Sequence, residues 1–292
     1  GLRSFLRQLS IQIKESKPLQ LNAEAMAMWL TPGKCPHDGS DVTWTQSAAH
    51  PTVTKDMQEW AQGADLRFEG DRTKQVLAQN SASCEQAPDQ TAAVIRKELA
   101  AGRMLGPFPV VPLQGFRVVP RAMKDEMAKS NKWRPISLNN LPIGDAVNEG
   151  IPPSPDPICL PSHDDLRLRI ARAKQRSAHV LLAKRDIRLA YRLHQVRPQD
   201  WSLCGVQWDG QLYIDTHLSF GCRSSVDRFL TISDAIEWTL RRWGVNAVHY
   251  IDDFIFIADT EEEAADAIKK FEIICEAWGI PIKDEKDVGP AT

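Results

Sequence analysis

The chain has 292 residues, enough for one large or two ordinary domains around a buried core. Apolar residues make up 42% and charged residues 25%, close to globular averages, which argues against wholesale disorder. A net charge of −2 argues by itself against a nucleic-acid partner, but the average hides an uneven distribution. Between Arg167 and Arg197 lie Arg167, Arg169, Arg172, Lys174, Arg176, Lys184, Arg185, Arg188, Arg192 and Arg197 against the single acid Asp186. Beyond Asp252 the balance inverts, with Asp259, Glu261, Glu262, Glu263, Asp266, Glu272 and Glu276 on one stretch. A local basic stripe is what a phosphate backbone would meet. The six cysteines are spread with no CxxC pair, so zinc or a disulfide framework is not indicated, and reduced thiols in an intracellular protein, nuclear or cytoplasmic, fit best. No apolar run reaches the roughly 18 residues of a membrane span, and no signal peptide opens the chain. A start at Gly1 and a stop at Thr292 without a domain-ending signal suggest a piece of something longer.

Residues 1–90 read as an accessory or linker region. Leu2, Phe5, Leu6, Leu9 and Ile13 have helical spacing, Ala23 to Leu30 predicts a second helix stopped by Pro32-Gly33, and Trp44, Trp60 and Phe68 are candidate anchors in a mixed polar stretch. Thr91 to Gly102 predicts a short helix with Ala92, Ile95 and Leu99 inward, followed by an extended entry from Gly106 to Pro112. Phe116 to Pro120 and Trp133 to Leu138 predict two strands joined by a polar connection. Arg117, Arg121, Lys124, Lys129, Lys132 and Arg134 cluster there, as a solvated loop or as a phosphate-binding hairpin.

The prolines between Pro142 and Pro161 predict an irregular connection, and His163 to Lys174 a basic amphipathic helix with Leu166, Ile170 and Ala173 on one side. Val180 to Ala183 is an apolar strand with Asp186 just past its end, and Arg188 to Leu193 turns away, carrying Tyr191. Cys204 to Trp208 and Gln211 to Thr216 form a hairpin across Asp209-Gly210. A loop, Leu218 to Ser225, enters a helix whose stripe is Phe229, Ile232, Ile236, Leu240 and Trp243, with Ser224 and Asp227 as a capping box. Gly221, just before that helix, is a position where backbone can approach a ligand.

Val245 to Ile251 and Phe254 to Ala258 then predict a tight hairpin with Asp252 and Asp253 at the bend. Adjacent like charges in a turn repel, so either the turn is a solvated acidic one or a cation offsets the repulsion. Thr260 opens a helix from Glu261 to Trp278 that Gly279 ends, and Ile280 to Lys286 is a last extended piece. Asp186 and Asp252 on neighbouring strand ends could hold two divalent ions about 4 Å apart, the arrangement that clamps both oxygens of an in-line displacement at phosphorus. Magnesium needs few protein carboxylates when substrate phosphates complete its shell.

These residues carry a family resemblance. Tyr250-Ile-Asp-Asp253 resembles the YxDD motif of reverse transcriptases, and Asp186-Ile-Arg-Leu-Ala-Tyr191 their D-x-x-x-A-[YF] motif. Leu218-Ser-Phe-Gly221 is similar to L-P-x-G, Lys132-Trp-Arg134-Pro-Ile to the K-W-R finger motif, and Gly279 to Lys286 to the lysine-bearing motif after the catalytic hairpin. The five stand in family order across residues 91–292. Ala100 to Phe108 and Ala146 to Ile151 look most like DIRS-type retrotransposon enzymes, whose elements use a tyrosine recombinase.

The resemblance implies an α+β right-hand polymerase, with an antiparallel catalytic sheet packed on helices, fingers about 107–140, palm about 160–292, and the thumb absent or truncated. It implies an RNA-directed DNA polymerase using two magnesium ions, with manganese as the alternative, deoxynucleoside triphosphates, and a primed RNA or DNA template. An RNase H or recombinase region would lie elsewhere in a longer polyprotein, and no membrane is involved. Asp186, Asp252 and Asp253 would form the metal site, Asp253 less directly. Lys286 would be the general acid for pyrophosphate, with Lys283 close by. Arg121 and Arg134 would hold the triphosphate, Tyr191 would exclude a 2′-hydroxyl, and Phe220 and Gly221 would flank the incoming base and template. Ser219 in place of the usual proline, and Val226 where Ala-Pro or Ser-Pro is common, depart from the pattern. The rival reading is a non-catalytic nucleic-acid-binding relic of such a polymerase.

Overall fold

A computed structural model describes residues 21–30, 33–34, 41–42, 53–126, 133–154, 158, 160–177, 179–283 and 288–291. The expected helix at Leu2 to Ile13, Trp44, Lys132 and Lys286 lie outside the described residues. In chain order the main elements begin with helices α1 (Ala23–Leu30), α2 (Val53–Gln62), α3 (Ala82–Gln86) and α4 (Pro88–Ala100). Strands β1 (Met104–Phe108), β2 (Arg121–Asp125) and β3 (Trp133–Ser137) follow, then helix α5 (His163–Lys174) and strand β4 (Leu181–Asp186). The hairpin strands β5 (Gly205–Trp208) and β6 (Gln211–Asp215) precede helix α6 (Arg223–Arg242). Strands β7 (Ala247–Tyr250) and β8 (Asp253–Ala258), helix α7 (Glu261–Trp278) and strand β9 (Val288–Ala291) close the chain.

Two compact units divide these elements, one formed by residues 62–155 and 191–225, the other by residues 21–61, 156–190 and 226–292. In the first unit β1, β6 and β5 form an antiparallel sheet in that order, and β2 pairs with β3 in a separate hairpin. Leu105, Phe108, Phe116, Val118, Leu212 and Ile214 make its core, and Ile95 of α4 packs with Met104, Val206 and Tyr213. The Asp209-Gly210 turn has positive φ at both positions, 49° and 68°, as a two-residue hairpin loop matched to strand twist requires. The strand expected at Phe116 to Pro120 begins later, at Arg121. Phe116, Val118 and Val119 are buried, and this stretch joins residues 76 and 205 only by single bridges, so its hydrophobicity marks a core crossing rather than a ladder.

The second unit holds a four-stranded antiparallel sheet in the order β9, β4, β8, β7. Phe254 and Phe256 of β8 are fully buried and meet Phe271 of α7 at ring distances of 4.9 and 5.6 Å. Leu166, Ile170 and Ala173 of α5 pack with Val180 and Ile257, the face that the spacing predicted. Helix α7 starts at Thr260, whose hydroxyl accepts from the Glu263 N–H at 3.1 Å, and stops at Gly279 with φ 70°, the left-handed cap that glycine adopts without strain. Within residues 21–61, Trp29 meets Trp243 at a tilt and Trp278 edge-on, at ring distances of 5.4 and 6.1 Å, while Trp60 is buried and donates to Thr231 at 3.0 Å. Among the described residues no helix is long and apolar enough to cross a membrane.

Candidate active site

The antiparallel register sets the centre of the site. Asp253, the first residue of β8, stands directly opposite Asp186, the last of β4, and also pairs with Tyr250 of β7. The bend is therefore Ile251-Asp252, one residue earlier than an Asp252-Asp253 turn. Directly opposed residues of an antiparallel pair project on the same face with Cβ atoms about 5 Å apart. Two carboxylates so placed, with a third at the adjoining turn, repel one another unless cations intervene.

Cations do intervene. Lys184, two residues before Asp186 and so on the same strand face, reaches Asp253 Oδ2 at 2.8 Å. Lys283 forms an ion pair with Asp186 and lies 3.8 Å from Asp252. Asp186 is 1% exposed, so an unpaired charge there would be costly. Burial pushes the Asp252 carboxyl above the usual carboxylate range. Its own backbone N–H and Lys283 pull it down, while the Asp186 and Asp253 charges push it further up. All three donors are carboxylates, the chemistry a hard divalent cation prefers. Among the described residues no group of three or more His, Cys, Asp or Glu side chains converges tightly enough to hold a metal ion as they stand. Each acid is instead turned towards a lysine.

Main-chain bonds fix the strand ends. The Ile187 N–H donates to the Asp252 carbonyl, and the Lys283 N–H to the Asp186 carbonyl, each at 2.9 Å. Ile251 has φ 57°, the left-handed region, which is strained for a β-branched side chain. Helix α6 braces that turn. The buried Ser233 hydroxyl donates to the Ile251 carbonyl at 2.8 Å, and His249 Nε2 lies 3.0 Å from Asp234 and 3.4 Å from Glu237.

The remaining expected residues belong to the first unit. Tyr191 is 8% exposed and stands edge-on against Phe220 at a ring distance of 4.8 Å, while Phe220 is 53% exposed. Gly221 has φ 98°, and a Cβ there would come within 2.5 Å of the Ser137 carbonyl oxygen, so the close approach that demands glycine is to backbone. Asn148 holds this loop, donating to the Gly221 carbonyl at 2.8 Å and accepting from the Arg223 N–H at 2.7 Å. That side chain occupies the capping role expected of Ser224, whose hydroxyl instead donates to the Leu66 carbonyl at 2.6 Å. Ser219, in the place of a proline, accepts from Asn139 through its hydroxyl at 3.3 Å.

The two expected phosphate ligands differ in kind. Arg134 is exposed on β3, 3.1 Å from Glu126, opposite Lys124 in the hairpin register. Arg121 is largely buried, with Nη2 2.6 Å from Asp215. Asp215 also meets Arg192 at 2.7 Å, Arg192 meets Glu98 at 2.7 Å, and Glu98 meets Arg103 at 2.8 Å, a buried chain of alternating charge. A small cavity beside it is lined by Arg121, Asn139, Asp215, His217, Ser219 and Cys222. Burial, and then Arg192, hold the His217 imidazole down at about 3, so it is neutral there.

An antiparallel sheet with acids at its strand ends, backed by helices, is the architecture of a polymerase palm. Residues 123–288 match the family model described as reverse transcriptase (RNA-dependent DNA polymerase), and the chain belongs to that family. No curated protein matches the sequence. Among solved structures, the prototype foamy virus protease–reverse transcriptase CSH mutant is similar at TM-score 0.57 and 16% identity, covering 93% of this chain and 34% of that one. The foamy viral protease–reverse transcriptase in complex with RNA/DNA hybrid matches at TM-score 0.57 and 14% identity, covering 93% and 34%. The same enzyme in complex with dsDNA matches at TM-score 0.52 and 18% identity, covering 79% and 42%. The chain thus spans well under half the length of each, and the likeness is one of fold.

Proposed function

We propose that this chain forms the fingers and palm of a retroelement RNA-directed DNA polymerase, extending a primer 3′-hydroxyl with deoxynucleoside triphosphates on an RNA or DNA template. The single observation that carries the reading is the register that sets Asp186 against Asp253, with Asp252 at the adjoining turn. Family membership supports it, as do foamy viral relatives of the same fold in complexes with dsDNA and with RNA/DNA hybrid. The phrases at residues 100–108 and 146–151 favour a DIRS-type element.

Asp186 and Asp252 would hold two magnesium ions, or manganese, with Asp253 contributing less because Lys184 already neutralises it. Such ions supply charge neutralisation for the triphosphate and a more acidic primer hydroxyl. The other roles fall to the chain's own side chains. Arg134 offers an exposed guanidinium to phosphate. Arg121 would do so only by leaving Asp215, which favours a supporting role in the cavity wall. Tyr191 presents the ring that excludes a 2′-hydroxyl, with Phe220 and Gly221 beside the base and template. Lys286 would give the proton to pyrophosphate.

The test is magnesium-dependent extension of a primer on an RNA template, comparing the chain with Asp252→Asn. Extension by the first and its loss in the second, with folding intact, is expected. Salt-sensitive template binding without extension by either protein would favour the relic.

A further inference from the structure

We infer that Lys283 is an internal counter-ion which occupies the carboxylate centre when metal is absent and must swing away for metal to enter. The inference rests on the metal-site reading above and adds a competitor built into the chain. Three carboxylates gathered at the strand ends and the adjoining turn, one of them 1% exposed, cannot stay charged side by side without compensation. Among the described residues two ammonium groups provide it. Lys184 takes Asp253, and Lys283 takes Asp186 while lying 3.8 Å from Asp252. The Lys283 ammonium thus pairs with one and lies close to the other of the two acids that a divalent ion would join.

The lysine is placed to yield. Its backbone N–H is held by the Asp186 carbonyl at 2.9 Å, so the main chain can stay docked to β4 while the four-carbon stem changes rotamer. The side chain is 28% exposed, which leaves the ammonium a route to solvent. A dication gains more from two carboxylates than a monocation does, so metal wins at sufficient concentration, and the lysine sets how much is needed. In its absence the same lysine preserves the fold, because Asp186 remains paired.

The experiment follows manganese binding by electron paramagnetic resonance, and thermal melting with and without magnesium, in the chain, Lys283→Gln and Lys283→Arg. Lys283→Gln is expected to bind manganese about tenfold more tightly. It should also melt lower than the parent without metal and recover on adding magnesium. Lys283→Arg, which keeps a cation, should stay close to the parent in both. A Lys283→Gln chain that folds only with magnesium present supports the inference, and one that fails to fold in either condition overturns it. Equal or weaker manganese affinity in Lys283→Gln overturns the counter-ion role alone and leaves the metal site standing. Absence of manganese binding in all three proteins overturns the metal site together with the inference.

Discussion

Replacing Asp215 with asparagine probes the buried charge chain of the first unit. Asp215 is 3% exposed and places one oxygen on Arg121 at 2.6 Å and the other on Arg192 at 2.7 Å. The side chains of these arginines are only 15% and 12% exposed, so water cannot readily replace the lost charge. Asparagine keeps the shape but removes the charge and turns one acceptor into an amide donor facing a guanidinium. Breaking a buried pair from one side costs about 3–5 kcal/mol, because the partner charge stays behind. At about 2–4 °C per kcal/mol for a chain of this size, the melting temperature should fall by roughly 6–20 °C. Urea denaturation and calorimetry of Asp215→Asn against the parent measure both quantities. A loss below about 1 kcal/mol would mean that solvent reaches the arginines, and would refute the claim that Arg121 is committed to Asp215.

Acid should destabilise the first unit in two stages. The folded His217 titrates at about 3 against an ordinary 6.5, so the unfolded chain alone takes up that proton and stability declines as pH falls from 6.5. Burial raises the Glu98 carboxyl, but Arg103 and Arg192 outweigh it and hold the group at about 2 against 4.5, which adds a second loss as pH falls from 4.5 towards 2. Urea midpoints measured from pH 7 to pH 3 check this, and a flat profile between pH 6.5 and 5 would contradict the His217 assignment. Tyr191→Ala should raise ribonucleotide incorporation relative to deoxynucleotide incorporation, read as the ratio of the two kcat/KM values. An unchanged ratio would remove Tyr191 from sugar selection.

The most legible parts of the sequence were those decided locally. Helix α7 lies between Thr260 and Gly279, a hydroxyl cap and a left-handed glycine, and both residues announce those roles by type and spacing. The Asp209-Gly210 hairpin and the inward stripe of α6, with Phe229, Ile232, Ile236 and Leu240 fully buried, were legible for the same reason. The acids of the site could be named from their motifs, but their juxtaposition depends on strand register. Asp186 meets Asp253 because β4 and β8 pair antiparallel, a long-range choice that periodicity does not encode. Lys184 was within reach of sequence reasoning, since strand alternation puts it on the face of Asp186. The pairing of Arg121 with Asp215 was not, because a strand end and a distant hairpin leave no shared local signal. Residues 63–81 offered little pattern beyond Phe68 as an anchor, yet Leu66 and Phe68 are both buried in the first unit, where fixed loops rather than regular elements carry the packing.

Divalent ions are expected at the strand ends of the second unit. Crystals of the chain with primer–template and a nucleotide, soaked in manganese and measured for anomalous scattering, locate those ions. Two peaks are expected roughly 3.5–4 Å apart, bonded to Asp186 and Asp252 at about 2.1 Å, with the Lys283 ammonium displaced. Peaks elsewhere, or the Lys283–Asp186 pair unbroken in the manganese-bound crystal, would rule out a metal centre of this kind.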